Sequence, residues 1–379
     1  MSSPDKLYYD VMISNLDNES TVPPIINFNE TRNIPFLNNP ADYYMSIIRF
    51  QIDTGSVLPV FTPTLTPYTT DINETIYSVS LSYNGYNAVQ NVIWSPQNLV
   101  AELPRPPANT TDGTADLSTG YYYCSNYQFF LNLVNIAFQA CLTKLLVLTP
   151  LPSNNPPFFT YNSQDKTFVL NTPYPFYLST DPTPVKVYLN PSLHQLFSSL
   201  PVLINTLNPQ YGQNFEIQVG SFGGVNVVTI PSYAPVADQY EVCQVFQESS
   251  SIALWTPVSS IVFTSSTLPV LSSNVSAPLV FVNGQTVPVS GNNSNISPII
   301  TDLVSSDGLY NPTLVYNPTA EYRLIELLGN KPLQNLDIQV FYRDRNSNLI
   351  PMRLPTGGVC TLKILFTKRY NNVSQMKGY

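Results

Sequence analysis

The chain has 379 residues, of which 43% are hydrophobic and 11% are charged, against about 25% charged residues in a typical soluble domain. This length and apolar content suit one large β domain or two smaller ones, and they exclude a chain too polar to fold around a core. Because so few charges solvate a surface poorly, we expect other subunits to cover much of it. The 25 tyrosines favour interfaces, and the 35 prolines favour strands and turns over long helices.

Positive charge is concentrated at the C-terminal end. Nine of the sixteen lysines and arginines lie in residues 323–379 with three acids, a net charge of about +6, while the preceding 322 residues have about −14. We predict that this segment contacts an acidic neighbouring subunit or, weakly, a packaged genome. The residues predicted to make this contact are Arg343, Arg345, Arg353, Lys363, Lys368 and Arg369. A basic face that is only solvated is the alternative.

Most of the predicted elements are strands, because apolar and polar residues alternate. The alternation is clearest at 11–13, 79–83, 336–342 and 362–366, which predicts half-buried strands with one apolar face. Further strands are predicted at 43–52, 89–94, 166–170, 185–189, 215–219, 226–230, 240–246 and 258–264.

One segment, residues 127–146, has helical periodicity instead. Its apolar side chains recur every three or four residues, with Asn132, Asn135 and Gln139 on the opposite face. Ser125 and Gln128 predict a capping box at its start. Because the polar side chains would be costly in lipid, we predict that the helix packs on a sheet and that the chain has no membrane span. A shorter second helix is predicted at 192–200.

The candidate catalytic motifs are incomplete. Asp53-Thr54-Gly55 follows an apolar strand, as in aspartic proteases, but no second Asp-Thr/Ser-Gly supplies the partner carboxylate. The single histidine, His194, has no accompanying Gly-x-Ser-x-Gly motif, and we interpret it as a surface or interface residue with its hydrogen bonds satisfied. We therefore predict no enzyme activity and no catalytic residue.

Cysteine spacing and the first residues bear on the compartment. The four cysteines lie far apart in sequence, which predicts free, buried thiols and neither a metal site nor a cofactor. The first ten residues contain no apolar core of signal-peptide length. We therefore predict synthesis in a reducing cytoplasm.

Three stretches, in order, resemble the penton (vertex) capsid proteins of virophages and Polinton-type elements. The first is DYYMSIIRF (42–50) with LP (58–59) and YSVSLSY (77–83), and the second is SSIVFTSSTLP (259–269). The third comprises EYRLIEL (321–327), LDIQVFYRD (336–344), LIPM (349–352) and LKILFTK (362–368). It combines strands, a polar turn, a proline and a basic final strand, and is the most telling of the three.

The resemblance implies an all-β protein whose core is a single jelly-roll β-sandwich with an inserted mixed β/α domain. It implies residues 1–100 and 241–379 as the jelly roll and residues 101–240, with helix 127–146, as the insertion. It further implies homopentamers at the vertices of an icosahedral double-stranded DNA virus, next to a major capsid protein. The virion is then the location, after synthesis in the host cytoplasm. A β-sandwich attachment or carbohydrate-binding protein is the alternative.

Overall fold

The computed structural model describes residues 5–17, 23–53, 58–67, 69–97, 121–122, 124–205, 210–221, 224–231, 239–271, 279–282, 285–288, 299–304, 313–316, 323–345 and 349–369. The chain divides into two compact units. Unit 1 comprises residues 1–58 and 257–379, and unit 2 comprises residues 59–256. Unit 2 is therefore inserted into the sequence of unit 1.

In chain order the first elements are β1 (Lys6–Ser14), β2 (Asn27–Thr31), β3 (Tyr43–Asp53), β4 (Glu74–Tyr83), β5 (Tyr86–Ile93) and helix α1 (Tyr127–Leu148). Next come β6 (Phe158–Asn162), β7 (Thr167–Pro173), β8 (Lys186–Leu189), helix α2 (Pro191–Leu196), β9 (Val202–Ile204), β10 (Phe215–Ile217), β11 (Val227–Pro231) and β12 (Gln239–Phe246). The last are β13 (Val258–Thr264), β14 (Leu279–Val282), β15 (Gln285–Pro288), β16 (Ile299–Leu303), β17 (Thr313–Tyr316), β18 (Ile325–Glu326), β19 (Asn335–Asp344), β20 (Leu349–Pro351) and β21 (Val359–Lys368). Single turns of 3-10 helix lie at Pro40–Asp42 and Ile252–Leu254. The predicted all-β class is confirmed.

The elements with the clearest periodicity form where the sequence predicts them. The four alternating segments lie in β1, β4, β19 and β21, and α1 begins at the predicted residue and ends at Leu148 rather than at 146. The predicted capping box is wrong, because Asn126 caps α1 by accepting a hydrogen bond from the Phe129 N–H at 2.9 Å. Ser125 instead donates its backbone N–H to Gln97 Oε1 at 2.8 Å.

Unit 1 is a sandwich of two antiparallel sheets. The first sheet has the order β1-β21-β3-β17, with β18 also paired to β3. The second has the order β16-β13-β19-β2, with β20 also paired to β19. Their inner faces share one apolar core, in which the rings of Phe50 (β3) and Phe263 (β13) meet edge-to-face with centroids 5.0 Å apart. Strands β14 and β15 pair with each other as a hairpin.

Unit 2 is a mixed β/α structure around α1. Its sheets have the orders β5-β4-β8-β10-β9 and β11-β12-β7-β6, and α1 packs against β4 and β5 of the first and β6 of the second. Trp255 is buried in the same core. Its ring lies 4.6–5.6 Å, centroid to centroid, from the rings of Phe61, Tyr127, Phe130, Phe168 and Phe197.

Strand β4 is buried on both faces, unlike the half-buried strand that its alternation predicts. Val79 and Leu81 lie in the core of unit 2 as expected, but Ser78 and Ser80 on the other face are also buried. The turn at Gly212 lies over this second face, and its φ of +79° is one that a glycine adopts without strain. Small side chains on β4 and a glycine in the turn therefore permit a close approach.

The unit boundaries at 58/59 and 256/257 differ from the predicted domain boundaries at 100/101 and 240/241. Strands β4 and β5 belong to unit 2 because β4 pairs with β8 and because α1 packs on both. Strand β12 belongs to unit 2 because it pairs with β7 and β11. Alternation predicts that a segment is a strand but not which strand it pairs with, and pairing decides the boundary.

Candidate association surface

The six predicted contact residues do not form one patch. β21 buries Leu362 and Ile364 in the core of unit 1, which places Lys363 on the outer face of the first sheet. β19 buries Tyr342, which places Arg343 on the outer face of the second sheet. Because the two outer faces of a sandwich point away from each other, the C-terminal positive charge is divided between opposite sides of unit 1.

Lys363 is part of a charge cluster that crosses three neighbouring strands. Its Nζ lies 3.1 Å from Asp10 Oδ2 on β1, and Arg49 Nη2 on β3 donates to Asp10 Oδ1 at 2.9 Å. The same Nζ lies 5.5 Å from the centre of the Tyr8 ring. Two cations share one carboxylate, so the cluster has a net charge of +1. Exposed pairs of this kind contribute about 0–1 kcal/mol each.

Arg369 and Arg353 are held mainly by backbone carbonyls of unit 1. Arg369 donates to Tyr43 O at 3.3 Å and to Leu327 O at 3.1 Å. Its guanidinium also lies 4.6 Å from the centre of the Tyr44 ring. Arg353 donates to Pro23 O at 2.7 Å. These two side chains therefore stabilise unit 1 itself.

The other three contact candidates differ in their surroundings. Arg343 is half-buried, and its Nε has no hydrogen-bond partner among the described residues. Arg345 is exposed just beyond β19, and Lys368 is half-buried at the end of β21, opposite Tyr43. Whether any of the six contacts a genome or a neighbouring subunit stays a prediction.

Large apolar side chains flank the charge cluster on the outer face of the first sheet. Tyr8 is 54% exposed and Met12 67% exposed on β1, and Val315 is 50% exposed on β17 at the other edge. Exposed apolar groups around a small set of charges are typical of protein–protein contacts. We call Tyr8, Asp10, Met12, Arg49 and Lys363 the Asp10 surface.

Sequence reasoning found one member of this surface, Lys363, and missed the others. The signal for β1 was present, because Tyr8, Asp10 and Met12 occupy alternate positions opposite Tyr9 and Val11. What the sequence does not show is that β21 pairs with β1 and β3 and brings the three strands side by side.

The two candidate catalytic residues have structural surroundings. Asp53 Oδ2 accepts a hydrogen bond from the Val359 N–H at 3.2 Å, at the start of β21. His194, in α2, stacks on Phe215 with ring centroids 3.9 Å apart. Its Nε2 is buried without a hydrogen-bond partner among the described residues, so the expectation of a satisfied histidine is wrong.

Burial lowers the pKa of His194 below its ordinary value of about 6.5. The unfolded chain therefore binds a proton at a higher pH than the folded protein does. Stability from the neutral ring is fully present above about pH 6.5 and is lost as the pH falls towards the lower folded pKa. We expect the urea midpoint of unit 2 to fall between pH 7 and pH 5, and less so in His194→Phe. The exposed neighbour variant Gln195→Ala should retain the wild-type slope, and an unchanged slope in His194→Phe would contradict the assignment.

The thiols and the acidic groups give no reactive site in the described residues. All four cysteines are free and buried, as predicted. Burial raises the pKa of each thiol, that of Cys141 to about 12, so they stay protonated at neutral pH. No group of three or more His, Cys, Asp or Glu side chains in the described ranges is placed to hold a metal ion.

Helix α1 is long and apolar enough to cross a membrane by length and composition alone. Ten of its side chains are buried in unit 2, including Phe130, Phe138 and Leu142. A core helix passes the same test of length and composition. The prediction that this helix packs on a sheet is confirmed.

Two β-rich units and an exposed surface suited to association are typical of a structural protein, and the described residues assemble no catalytic group. A family model described as Sputnik minor capsid protein V18/19 matches residues 7–368, and the chain belongs to this family. The family and its structural neighbours are capsid proteins and not enzymes, so this chain is a minor capsid protein. The resemblance to virophage capsid proteins is confirmed.

Two proteins of the Sputnik virophage are similar in sequence. The uncharacterized protein V18 is 34% identical over 158 residues, which cover 41% of this chain and 92% of V18. The structural protein V19 is 25% identical over 224 residues, which cover 56% of this chain and 94% of V19.

Two solved structures are similar over nearly the whole chain. A chain in the cryo-EM structure of the Sputnik virophage has a TM-score of 0.80 and 28% sequence identity to this chain. The match covers 97% of this chain and 100% of the Sputnik chain. The mavirus penton protein has a TM-score of 0.61 and 14% sequence identity, and the match covers 97% of this chain and 100% of the penton protein chain. At 14% identity the second likeness shows the fold alone.

Proposed function

We propose that this chain forms homopentameric pentons at the five-fold vertices of an icosahedral virophage shell, next to a major capsid protein. Unit 1 is the shell-forming domain, a single jelly roll, and unit 2 is an insertion carried between its third and fourth strands. The proposal extends the assignment as a minor capsid protein, and it places the chain in the virion after synthesis in the host cytoplasm. The likeness to the mavirus penton protein supports it.

The path of the chain through unit 1 carries the jelly-roll proposal. Its eight main strands form two four-stranded antiparallel sheets, β1-β21-β3-β17 and β16-β13-β19-β2. The chain changes sheets from β1 to β2, from β2 to β3 and from β3 to β13, and again on both sides of β17 and β19. This interleaving of two sheets is what a jelly roll requires. The insertion enters after β3 and leaves before β13.

A ring of five requires one face of a subunit to meet a different face of the next. The Asp10 surface is our candidate for one side of that contact. It presents Tyr8 and Met12 for burial, and the Asp10 carboxylate holds the Arg49 and Lys363 side chains in position. Fixing these long side chains before association lowers the entropy that the contact costs.

Met12→Glu tests the ring and its contact together. We expect native mass spectrometry and negative-stain microscopy to show rings of five for the wild type and single chains for Met12→Glu, because the contact would have to bury an added carboxylate in place of an apolar side chain. The melting temperature should change little, since Met12 is exposed in the single subunit. Ile34→Glu, at an exposed position in unit 1 outside β1, is the matched control and should still form rings. Trimers of the wild type would decide against the pentamer, and rings of Met12→Glu would decide against this contact.

We also propose that the C-terminal cations contribute to assembly or to weak contact with packaged DNA. Replacing Lys363, Lys368 and Arg369 together by glutamine should weaken shell association or DNA binding. The remaining binding should also depend less on salt concentration than that of the wild type does. Lys331→Gln removes an exposed cation of the same segment and serves as the control. Melting curves are needed alongside, because Lys363 and Arg369 also have partners inside unit 1. If the triple variant associates as the wild type does at low salt, these cations are only solvated and do not contribute to assembly.

A further inference from the structure

Unit 2 contains a cleft of about 590 Å³ where β12 runs past the start of β11. Its lining includes Gln244 and Phe246 of β12, Glu248 just after this strand, Asn226 just before β11, and Gln218 after β10. The volume is within the range of small-molecule sites, about 300–1,000 Å³. Nothing in the assignment as a minor capsid protein uses this cleft.

The polar side chains of the cleft belong to a hydrogen-bonded row that crosses the sheet β11-β12-β7-β6. Asn226 Nδ2 donates to Gln244 Oε1 at 3.2 Å, and Gln244 Nε2 donates to Asn171 Oδ1 at 3.0 Å. Asn171 Nδ2 in turn donates to Thr160 Oγ1 at 3.2 Å on β6. Each amide therefore fixes the orientation of the next one. At the end of the row, Asn226 is exposed, so its side chain can also contact a ligand.

An exposed aromatic ring lies beside these amides. Phe246 is 44% exposed, although strand residues of its size are usually buried against a neighbour. It follows Gln244 at the next position on the same face of β12. An aromatic face next to fixed amide donors and acceptors suits a ligand with one apolar face and a rim of hydroxyl groups, each of which both donates and accepts.

The charge around the cleft restricts the ligand further. Glu248 is the one ionisable side chain among the described lining residues. None of the described lining residues is a lysine or an arginine. A carboxylate, sulfate or phosphate on the ligand would find no cation among the described lining residues to pair with and would be repelled by Glu248.

We propose that this cleft binds a short neutral oligosaccharide, with one sugar ring stacked on Phe246 and its hydroxyl groups bonded to Asn226, Gln244 and Glu248. The proposal concerns unit 2 alone and does not rest on the pentameric vertex. A sugar-binding cleft on a capsid protein gives the particle a means of attachment to a glycan-bearing surface.

The test uses the full chain and four soluble probes: chitotriose, mannotriose, maltotriose and, as the anionic comparator, 3′-sialyllactose. Saturation-transfer NMR and calorimetry at millimolar probe should show binding of at least one neutral trisaccharide and none of the sialylated probe. Phe246→Ala and Asn226→Ala should each weaken binding about tenfold or more, with melting curves confirming that both variants fold. Ile136→Ala, which removes an exposed apolar side chain from α1 outside the cleft, should bind as the wild type does. The proposal is overturned if no neutral probe binds, if only the sialylated probe binds, or if folded Phe246→Ala and Asn226→Ala bind as the wild type does.

Discussion

Trp255→Ala is expected to lower the free energy of unfolding of unit 2 by about 3–5 kcal/mol. The indole is buried and contacts five other aromatic rings, so its removal leaves a cavity that the surrounding rings cannot fill without rotating. Its Nε1 also donates to Leu196 O at 2.8 Å, a hydrogen bond that alanine cannot make. Urea denaturation followed by fluorescence and circular dichroism measures the loss.

Trp255→Phe separates the two contributions. Phenylalanine keeps most of the ring contacts but loses the hydrogen bond to Leu196 O, so we expect a smaller loss of about 1–3 kcal/mol. The exposed variant Ile136→Ala should stay within about 0.5 kcal/mol of the wild type. A loss below about 1 kcal/mol for Trp255→Ala would show that Trp255 is not at the centre of the core.

Asn190→Ala is expected to destabilise unit 2 by on the order of 3 kcal/mol. Asn190 Oδ1 accepts from the Leu193 N–H at 3.0 Å, which caps α2, and from the Ser78 N–H at 3.1 Å on β4. Its Nδ2 donates to Ile76 O at 2.7 Å, also on β4. Alanine removes the cap and leaves buried backbone groups of β4 without partners.

Asn126→Ala is the matched control, because Asn126 caps α1 through one hydrogen bond, to the Phe129 N–H. We expect a loss of about 1 kcal/mol there, the usual cost of a lost cap. The difference between the two variants, measured by urea denaturation with equal m-values, isolates the bonds between Asn190 and β4. Equal losses would contradict the bridging role of Asn190.

Element types were predictable wherever side-chain periodicity was strong. The alternation at 336–342 and 362–366 predicted β19 and β21, and the three- and four-residue spacing at 127–146 predicted α1. Short strands such as β9 and β18 carry too few residues to show a period, and the sequence did not reveal them. The first residue of α1 was predicted correctly but its cap was not, because Ser125 and Asn126 are both good caps and the sequence does not show which of them accepts from the first turn.

The candidate surfaces were predictable only in part. Lys363 stood out by its charge, but Asp10 and Arg49 lie on strands that are distant in sequence and become neighbours through pairing. The cleft of unit 2 had even less signal in the sequence, because Asn226, Gln244 and Asn171 are ordinary polar residues that become neighbours only when β11, β12 and β7 pair.

The sequence by itself determined that this protein is built from β-strands around one long helix, that its thiols are free and that its chain carries no complete catalytic motif. These properties depend on residue type and on local spacing. Only the tertiary structure decided where unit 2 begins and ends, which strands face each other, and that the C-terminal cations lie on opposite sides of unit 1. The physical reason is that one period-two pattern is compatible with many partners, and the choice among them depends on packing between segments far apart in the chain.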